Sequence, residues 1–408
     1  MVQGTLSGKG GGMCMTDDFI LTHRHDDVRQ LALQADRFRD VDMRHALVQI
    51  EGWQLAEKKK LPWAEIEGIM YPEHLAMEQC SSGPTAEYKR RVVMEHCEGR
   101  SMADLTGGLG VDCWQIGSGF REVTYIERNP ELCALARHNF KVLGLGRAEI
   151  VEGDSISYLS SSHHYELIFI DPARRDTAGR KVVTLSHCTP DMTEVQEQLL
   201  SSADVVMAKL SPLLDLPVIR RQLKCLEEIH VVSVDGECKE IVTVQKKDSS
   251  RIEPMIFCVN MKSNTDHYDS VMFTETEEKE AVCEYTSTLG AWLYEPNASI
   301  MKAQCFRTLA SRFSLRKLHP NSHLYTSDEP VDGFPGRCFI IKGVSSFDKK
   351  ELKHFLSSIT HANITVRNFP SSAEDVRRKL RLKDGGDSYI FATTLDNNAK
   401  TVILCGKK

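Results

Sequence analysis

Four acidic side chains recur at the same kind of place in the first half of this chain. Asp104 closes Met102-Ala103-Asp104, Glu127 closes Val-Thr-Tyr-Ile-Glu, Asp154 follows Ile-Val-Glu-Gly, and Asp171 closes Leu-Ile-Phe-Ile-Asp. Carboxylates so placed can accept hydrogen bonds from sugar hydroxyls or amino groups. Glu127 lies seventeen residues after Gly110, a spacing at which an acid can accept from ribose hydroxyls. Asp154, with Ser155 beside it, could accept from an adenine amino group. Asp171 is followed by Pro172, Ala173, Arg174 and Arg175. Proline cannot continue a central strand, so the chain must turn there and offer a carboxylate and free carbonyls. A substrate amino group could donate to both. Arg174 and Arg175 could grip a phosphate or carboxylate as a fork, or pair within the loop. Any one of these acids could merely cap a loop or helix; four in order at one edge point to a ligand.

The residues between the acids support that reading. Asp104-Leu105-Thr106-Gly107-Gly108-Leu109-Gly110 joins an apolar run to a helical one. Glycine permits positive φ and close approach of a ligand to the backbone, and a following helix offers unpaired N–H groups. Gly108-x-Gly110-x-x-Cys113 approaches the dinucleotide fingerprint and fails at its last position.

These turns need elements to position them. Each acid ends a short apolar or β-branched run, the signal of a buried strand, and helical stretches separate the runs. That alternation predicts an α/β domain with a parallel sheet, whose ligands sit at the carboxyl ends of the strands. A fifth strand is expected over 204–210, a helix over 219–226, and further strands over 230–234, 240–244 and 256–259.

A chain of 408 residues predicts two or three domains. The expected division is a flexible lead over 1–16, with Met13 or Met15 as possible starts, a helical region over 17–99, the α/β domain over 100–261, a small α/β connecting domain over 281–330, and a last module over 336–408. The stretch 262–269 reads as a linker. In the helical region Thr85 is a candidate cap, and 78–85 reads either as a loop over the ligand site or as a linker. Further on, a helix is expected over 300–313 and a basic one over 373–382.

Composition narrows the classes. A net charge of −6 excludes a globally basic nucleic-acid binder, so such contact needs a local patch. No apolar run is long enough to span a bilayer, and no secretory signal is evident. Thirteen cysteines include no Cys-x-x-Cys pair, which argues against zinc and iron–sulfur sites and for ordinary thiols in a reducing, cytoplasmic setting. His163-His164 reads as an exposed pair, with no metal expected. From Lys349 to Lys408 twelve Lys/Arg face six Asp/Glu, and Arg377, Arg378, Lys379, Arg381 and Lys383 cluster in one helix and its exit. That helix is a candidate RNA-binding surface or else a solvated face.

Together the four segments resemble class I S-adenosylmethionine-dependent methyltransferases, a Rossmann-like fold. The resemblance implies that Asp104, Thr106, Gly107, Gly108 and Gly110 carry the methionine moiety of the cofactor. It further implies that Glu127 binds the ribose, that Asp154 and Ser155 lie by the adenine, and that Asp171, Pro172 and Arg174 face the methyl-accepting atom. Asp-Leu-Thr-Gly-Gly-Leu-Gly-Val-Asp with Ile-Glu-Arg-Asn-Pro looks like the RNA guanine-N2 methyltransferases. The whole chain looks like bacterial methyltransferases with a C-terminal α+β THUMP-like RNA-binding domain, on Tyr294-Glu295-Pro296-Asn297 and 337–408. The implied activity is methylation of a base, guanine N2 among the choices, in tRNA or rRNA. Substrate contacts would come from Tyr88, Lys89, Arg175, Arg377, Arg378 and Lys379. Amino-methylating relatives often have Asp/Asn-Pro-Pro followed by an aromatic ring; this chain has Asp171-Pro172-Ala173-Arg174, and Tyr88 or Trp114 is the candidate substitute ring. Three rivals stand beside this reading. They are a nicotinamide-dependent oxidoreductase, a non-catalytic RNA-binding protein on a relic fold, and a methyltransferase for DNA or protein.

Overall fold

In the computed structural model, residues 15–159, 163–174, 184–265 and 267–408 are described. Arg175 lies outside them, and for Arg174 only the backbone is described. The chain divides into two units, Met1–Lys209 with Gln245–Lys247, and Leu210–Val244 with Asp248–Lys408.

In the first unit several helices begin at side-chain caps. Asp27 accepts from the Gln30 N–H ahead of Val28–Leu33, and Asp42 from the His45 N–H ahead of Met43–Lys58. The helix Gly83–His96 is capped by Ser82, not by Thr85 as the sequence suggested. Pro84 has no N–H, so the first donor within reach of a cap is Thr85 N, which points at Ser82 Oγ. Trp63, Tyr71, Met77 and Ala86 pack with Leu109 and Val111, which ties this helical layer to the glycine turn.

Its strands are β1 (Ser101–Asp104), β2 (Glu122–Glu127), β3 (Glu149–Glu152), β4 (Tyr165–Ile170), β5 (Ala173–Arg174), β6 (Cys188–Thr189) and β7 (Ala203–Leu210). They pair in the order β7-β4-β1-β2-β3, all parallel, while β5 and β6 form a separate two-residue antiparallel ladder. Every residue of β4 is buried, as expected of an inner strand covered on both faces. Parallel neighbours need crossovers. Val111–Gly117 joins β1 to β2, Pro130–Val142 joins β2 to β3, and Met192–Ser202 leads into β7. Pro130–Val142 buries Cys133, Ala136, Asn139 and Phe140, one face at helical spacing. The buried Asn139 amide is satisfied by Met70, accepting from its N–H at 2.9 Å and donating to its carbonyl at 2.8 Å. From β1 the chain runs to β2 and β3 on one side, then returns to β4 and β7 on the other. The order therefore reverses between β1 and β4, beside the glycine turn and Asp171.

The second unit holds β8 (Leu226–Val234), β9 (Glu237–Lys246) as far as Val244, β10 (Met255–Met261) and β11 (Tyr268–Phe273). β10 is parallel to β8 and antiparallel to β11. Asp235 and Gly236, at φ 50° and 81°, make the tight turn from β8 to β9. The polar stretch read as a linker thus ends inside a strand. The helix expected over 219–226 is Leu216–Gln222, and Cys225, at φ 54°, breaks the chain before β8 begins.

A second sheet follows, made of β12 (Trp292–Pro296), β13 (Arg316–Lys317), β14 (Tyr325–Ser327), β15 (Gly336–Ser346), β16 (Asn363–Arg367), β17 (Ser388–Thr394) and β18 (Lys400–Lys407). Its order is β13-β14-β12-β15-β18-β17-β16, with only the β16–β17 pairing parallel. The helix expected over 300–313 is two, Ala298–Ala303 and Arg307–Arg312, because Gln304 takes the left-handed conformation at φ 61°. Leu293, Phe339, Phe391 and Ile403 fill one core of this sheet, and Leu352, Leu356, Ile390 and Val402 another.

Candidate active site

The site is built from the carboxyl ends of β1, β2, β3 and β4. Asp104 ends β1 fully buried, and its Oδ1 accepts the Thr106 N–H at 2.9 Å. Burial is the main cause that pushes its pKa up to about 8; the Thr106 N–H opposes the rise, and Asp112, Asp171 and Glu127 add to it.

The three glycines answer to different constraints. A Cβ on Gly107 would lie 2.2 Å from Tyr125 Cε2, so the turn packs flat on that ring. Gly108 and Gly110 hold φ of 53° and 86°. Tyr125 donates to the Gly108 carbonyl at 2.5 Å, while the Gly108 N–H donates to Glu127 Oε2 at 2.9 Å. The Asn129 N–H donates to Glu127 Oε1 at 2.8 Å. Each oxygen of the Glu127 carboxylate thus takes one backbone hydrogen and keeps acceptor capacity for a pair of hydroxyls.

Asp154, after β3, caps the short helix Ser155–Tyr158 through the Ser157 N–H at 2.8 Å, and its other oxygen meets Arg128. The Ser157 bond first, then Arg128, holds its pKa below the usual carboxylate value. Ser155 is buried. The turn after β4 is tied to the turn after β1, since the Asp171 N–H donates to Thr106 Oγ1 at 2.7 Å. Pro172 is buried behind it.

Three residues of the cluster escaped the sequence reading. Lys209, at the end of β7, places Nζ 2.6 Å from Asp171 Oδ2 and 3.9 Å from Asp112 Oδ2. Asp112 also accepts from Ser81 Oγ at 2.7 Å and lies 3.3 Å from Lys89 Nζ. Burial alone would raise the Asp112 carboxyl, but Lys89 and Lys209 hold it below its ordinary value. The only sequence signals were a charge closing an apolar strand at Lys209 and an acid just inside the glycine turn at Asp112. Of the stretch 78–85, Glu78 and Gln79 end the helix His74–Gln79 and Gly83 begins the next, so only 80–82 is a connection, and from it Ser81 reaches Asp112.

The expected substrate residues fall differently. Tyr88 and Lys89 were expected at the substrate; the structure buries both, with the Lys89 ammonium turned to Asp112. Trp114 packs edge-on to Trp63 and donates from Nε1 to the Leu143 carbonyl at 3.2 Å, so it belongs to the helical layer. In the second unit Arg377 pairs with Asp384 and Arg378 with Asp375, and Lys379 Nζ stands 3.5 Å over the Phe347 ring. His164 meets Asp204 at 2.9 Å. Among the described residues no group of His, Cys, Asp and Glu is arranged to hold a metal ion, and no helix is long and apolar enough to cross a membrane.

Comparison with known proteins places the whole chain. Residues 292–335 match a ferredoxin-like domain and residues 336–407 a THUMP domain-like family. An uncharacterized S-adenosylmethionine-dependent methyltransferase of Mycobacterium tuberculosis is 24% identical over 322 residues, 78% of this chain and 83% of its own length. The crystal structure of a candidate methyltransferase from Porphyromonas gingivalis W83 superposes with a TM-score of 0.82 at 32% identity, covering 97% of this chain and all of that one. The chain belongs to the class I S-adenosylmethionine-dependent methyltransferases that carry a C-terminal THUMP-like domain.

Proposed function

We propose that this protein methylates an exocyclic amino group of a base in tRNA or rRNA, with guanine N2 as the first acceptor to test. In this reading Asp104, Thr106 and the glycine turn hold the methionine end of the cofactor, Glu127 the ribose, and Asp154 with Ser155 the adenine. The cofactor supplies an electrophilic methyl group on a sulfonium. Asp171 and the Pro172 carbonyl accept the hydrogens of the acceptor amine and so aim its lone pair. They also favour the positive charge that grows on nitrogen as the N–C bond forms and the C–S bond breaks to leave S-adenosylhomocysteine, and the proton the nitrogen then loses passes by way of the Asp171 carboxylate to water. Arg174 and Arg175 grip a phosphate beside the target nucleotide. A base in a stack or pair must be turned out to reach such a site.

The observation that carries the reading is the bond from Asp171 N–H to Thr106 Oγ1, which links the acceptor turn to the cofactor turn. The RNA part is supported by the THUMP domain-like match and by the basic helix Ala373–Leu380 with Arg377, Arg378 and Lys379. The test is transfer of labelled methyl from S-adenosylmethionine to total RNA from cells lacking the protein, followed by nucleoside analysis. A labelled N2-methylguanosine is the expected product. Label in another base would keep the RNA reading and replace the acceptor. No label in RNA, with the cofactor bound, would move the substrate to another class.

A further inference from the structure

The acceptor turn is flanked by a charge that the reaction as described above does not use. Lys209 is nearly buried, its side chain 14% exposed, and Asp171 is its nearer carboxylate at 2.6 Å, with Asp112 at 3.9 Å. Asp112 meets the fully buried Lys89 at 3.3 Å. Two ammonium groups therefore alternate with two carboxylates, Lys89–Asp112–Lys209–Asp171, with Lys59 and Asp104 acting on the row from outside it. The pairing is not of the solvated, weak kind, because three of the four ions are largely withdrawn from water.

We propose that Lys209 is a positioning residue that fixes the Asp171 carboxylate and cancels its charge. The acceptor end of the site then selects an uncharged nitrogen over an ammonium. The chemistry is direct. A protonated amine has no lone pair for the methyl group, yet an unpaired, half-buried carboxylate would attract that unreactive form first. With Lys209 on Oδ2, the other oxygen, Oδ1, can still accept from a neutral amino group. The amino groups of nucleobases are neutral at physiological pH, whereas a protein lysine is an ammonium, so the pairing fits the first and disfavours the second. The inference rests on the reading that Asp171 faces the acceptor atom.

A competition between two cofactor analogues reads this without any acceptor. Sinefungin carries an ammonium group where the cofactor carries its methyl; S-adenosylhomocysteine carries nothing there. Calorimetry of both on the full chain gives their affinity ratio, and loss of folded protein cancels because both ligands see the same folded fraction. Lys209→Met is expected to raise the preference for sinefungin by roughly tenfold. Lys209→Gln, a second variant should the first fold poorly, is expected to do the same, and Lys209→Arg to keep the wild-type ratio. Asp171→Asn should lower the preference, and Lys209→Met in the Asp171→Asn background should leave it below that of Lys209→Met alone. A ratio within twofold of wild type in Lys209→Met and Lys209→Gln, with Asp171→Asn still lowering it, would overturn the role of Lys209 alone. A ratio untouched by Asp171→Asn would overturn the acceptor-facing placement of Asp171 and the inference with it. Because no RNA is present, failure of the RNA reading shows elsewhere, as absence of label in nucleic acid.

Discussion

The backbone N–H of Asp171 donates to the hydroxyl of Thr106 at 2.7 Å, across 65 residues of sequence. One side chain on the first strand's turn thereby sets the height of the fourth strand's turn. Thr106→Val keeps the shape and removes the acceptor. It should leave the Asp171 N–H without a partner, at a cost of about 1–3 kcal/mol. The Thr106 backbone, which Asp104 holds, is kept in this variant, so methyl transfer should fall about tenfold or more, a larger loss than that in S-adenosylhomocysteine affinity. Calorimetry beside single-turnover transfer checks this; equal losses in both would place Thr106 in cofactor binding alone.

Gly107 allows the turn to lie against Tyr125. In Gly107→Ala the new Cβ would meet Tyr125 Cε2 at 2.2 Å, too close for contact, so the turn or the ring must move. Overpacking of this kind costs about 1–3 kcal/mol, and the displaced turn should lose most of its cofactor affinity. A fall in melting temperature accompanied by loss of S-adenosylhomocysteine binding is expected. Unchanged binding would mean that the turn does not hold the ligand.

Asp104 makes stability depend on pH in an unusual direction for a carboxyl group. Its native pKa is raised to about 8, chiefly by burial, so the folded chain retains a proton that the unfolded chain gives up near the usual carboxylate value. The contribution is complete below the unfolded pKa and disappears as pH rises through about 8. Asp104→Asn keeps an oxygen for the Thr106 N–H and cannot ionise. Relative to wild type it should therefore gain stability as pH rises from about 5 to 8, a trend that thermal melts across that range would reveal. A constant difference would show that Asp104 is ionised in the folded state.

Legibility of the sequence divided along physical lines. Asp104, Glu127, Asp154 and Asp171 could be placed at strand ends because each closes or follows an apolar run, and the alternation with helices dictates a parallel sheet, although β3 at the sheet edge has no buried residue. Lys89, Asp112, Lys209 and Ser81 were not readable as a cluster, since their pairing depends on how the connection at 80–82, the helix Gly83–His96, the start of the helix after the glycine turn and β7 meet in space. Periodicity could not show that Gln304 leaves the helical conformation at φ 61°, nor that Pro84 passes the capping role to Ser82. Burial likewise overrides residue type. Tyr88 and Lys89 look like surface contact residues in one dimension and are core residues in three.

The basic helix Ala373–Leu380 gives a prediction separable from the catalytic unit. Arg378→Glu with Lys379→Glu should weaken RNA binding and flatten its salt dependence by about one to two phosphate contacts. S-adenosylhomocysteine binding should remain that of wild type. Filter binding at several salt concentrations measures both slope and affinity. An unchanged slope would leave this helix as a solvated face, consistent with Arg377, Arg378 and Lys379 being engaged by Asp384, Asp375 and Phe347.

The most direct test of the account sets wild type against Asp171→Ala in one experiment. Labelled S-adenosylmethionine is offered with RNA from cells lacking the protein, and S-adenosylhomocysteine binding is measured on the same preparations. Wild type should label an RNA base, Asp171→Ala should lose transfer, and both should keep their affinity for S-adenosylhomocysteine. Unchanged turnover in Asp171→Ala would contradict it.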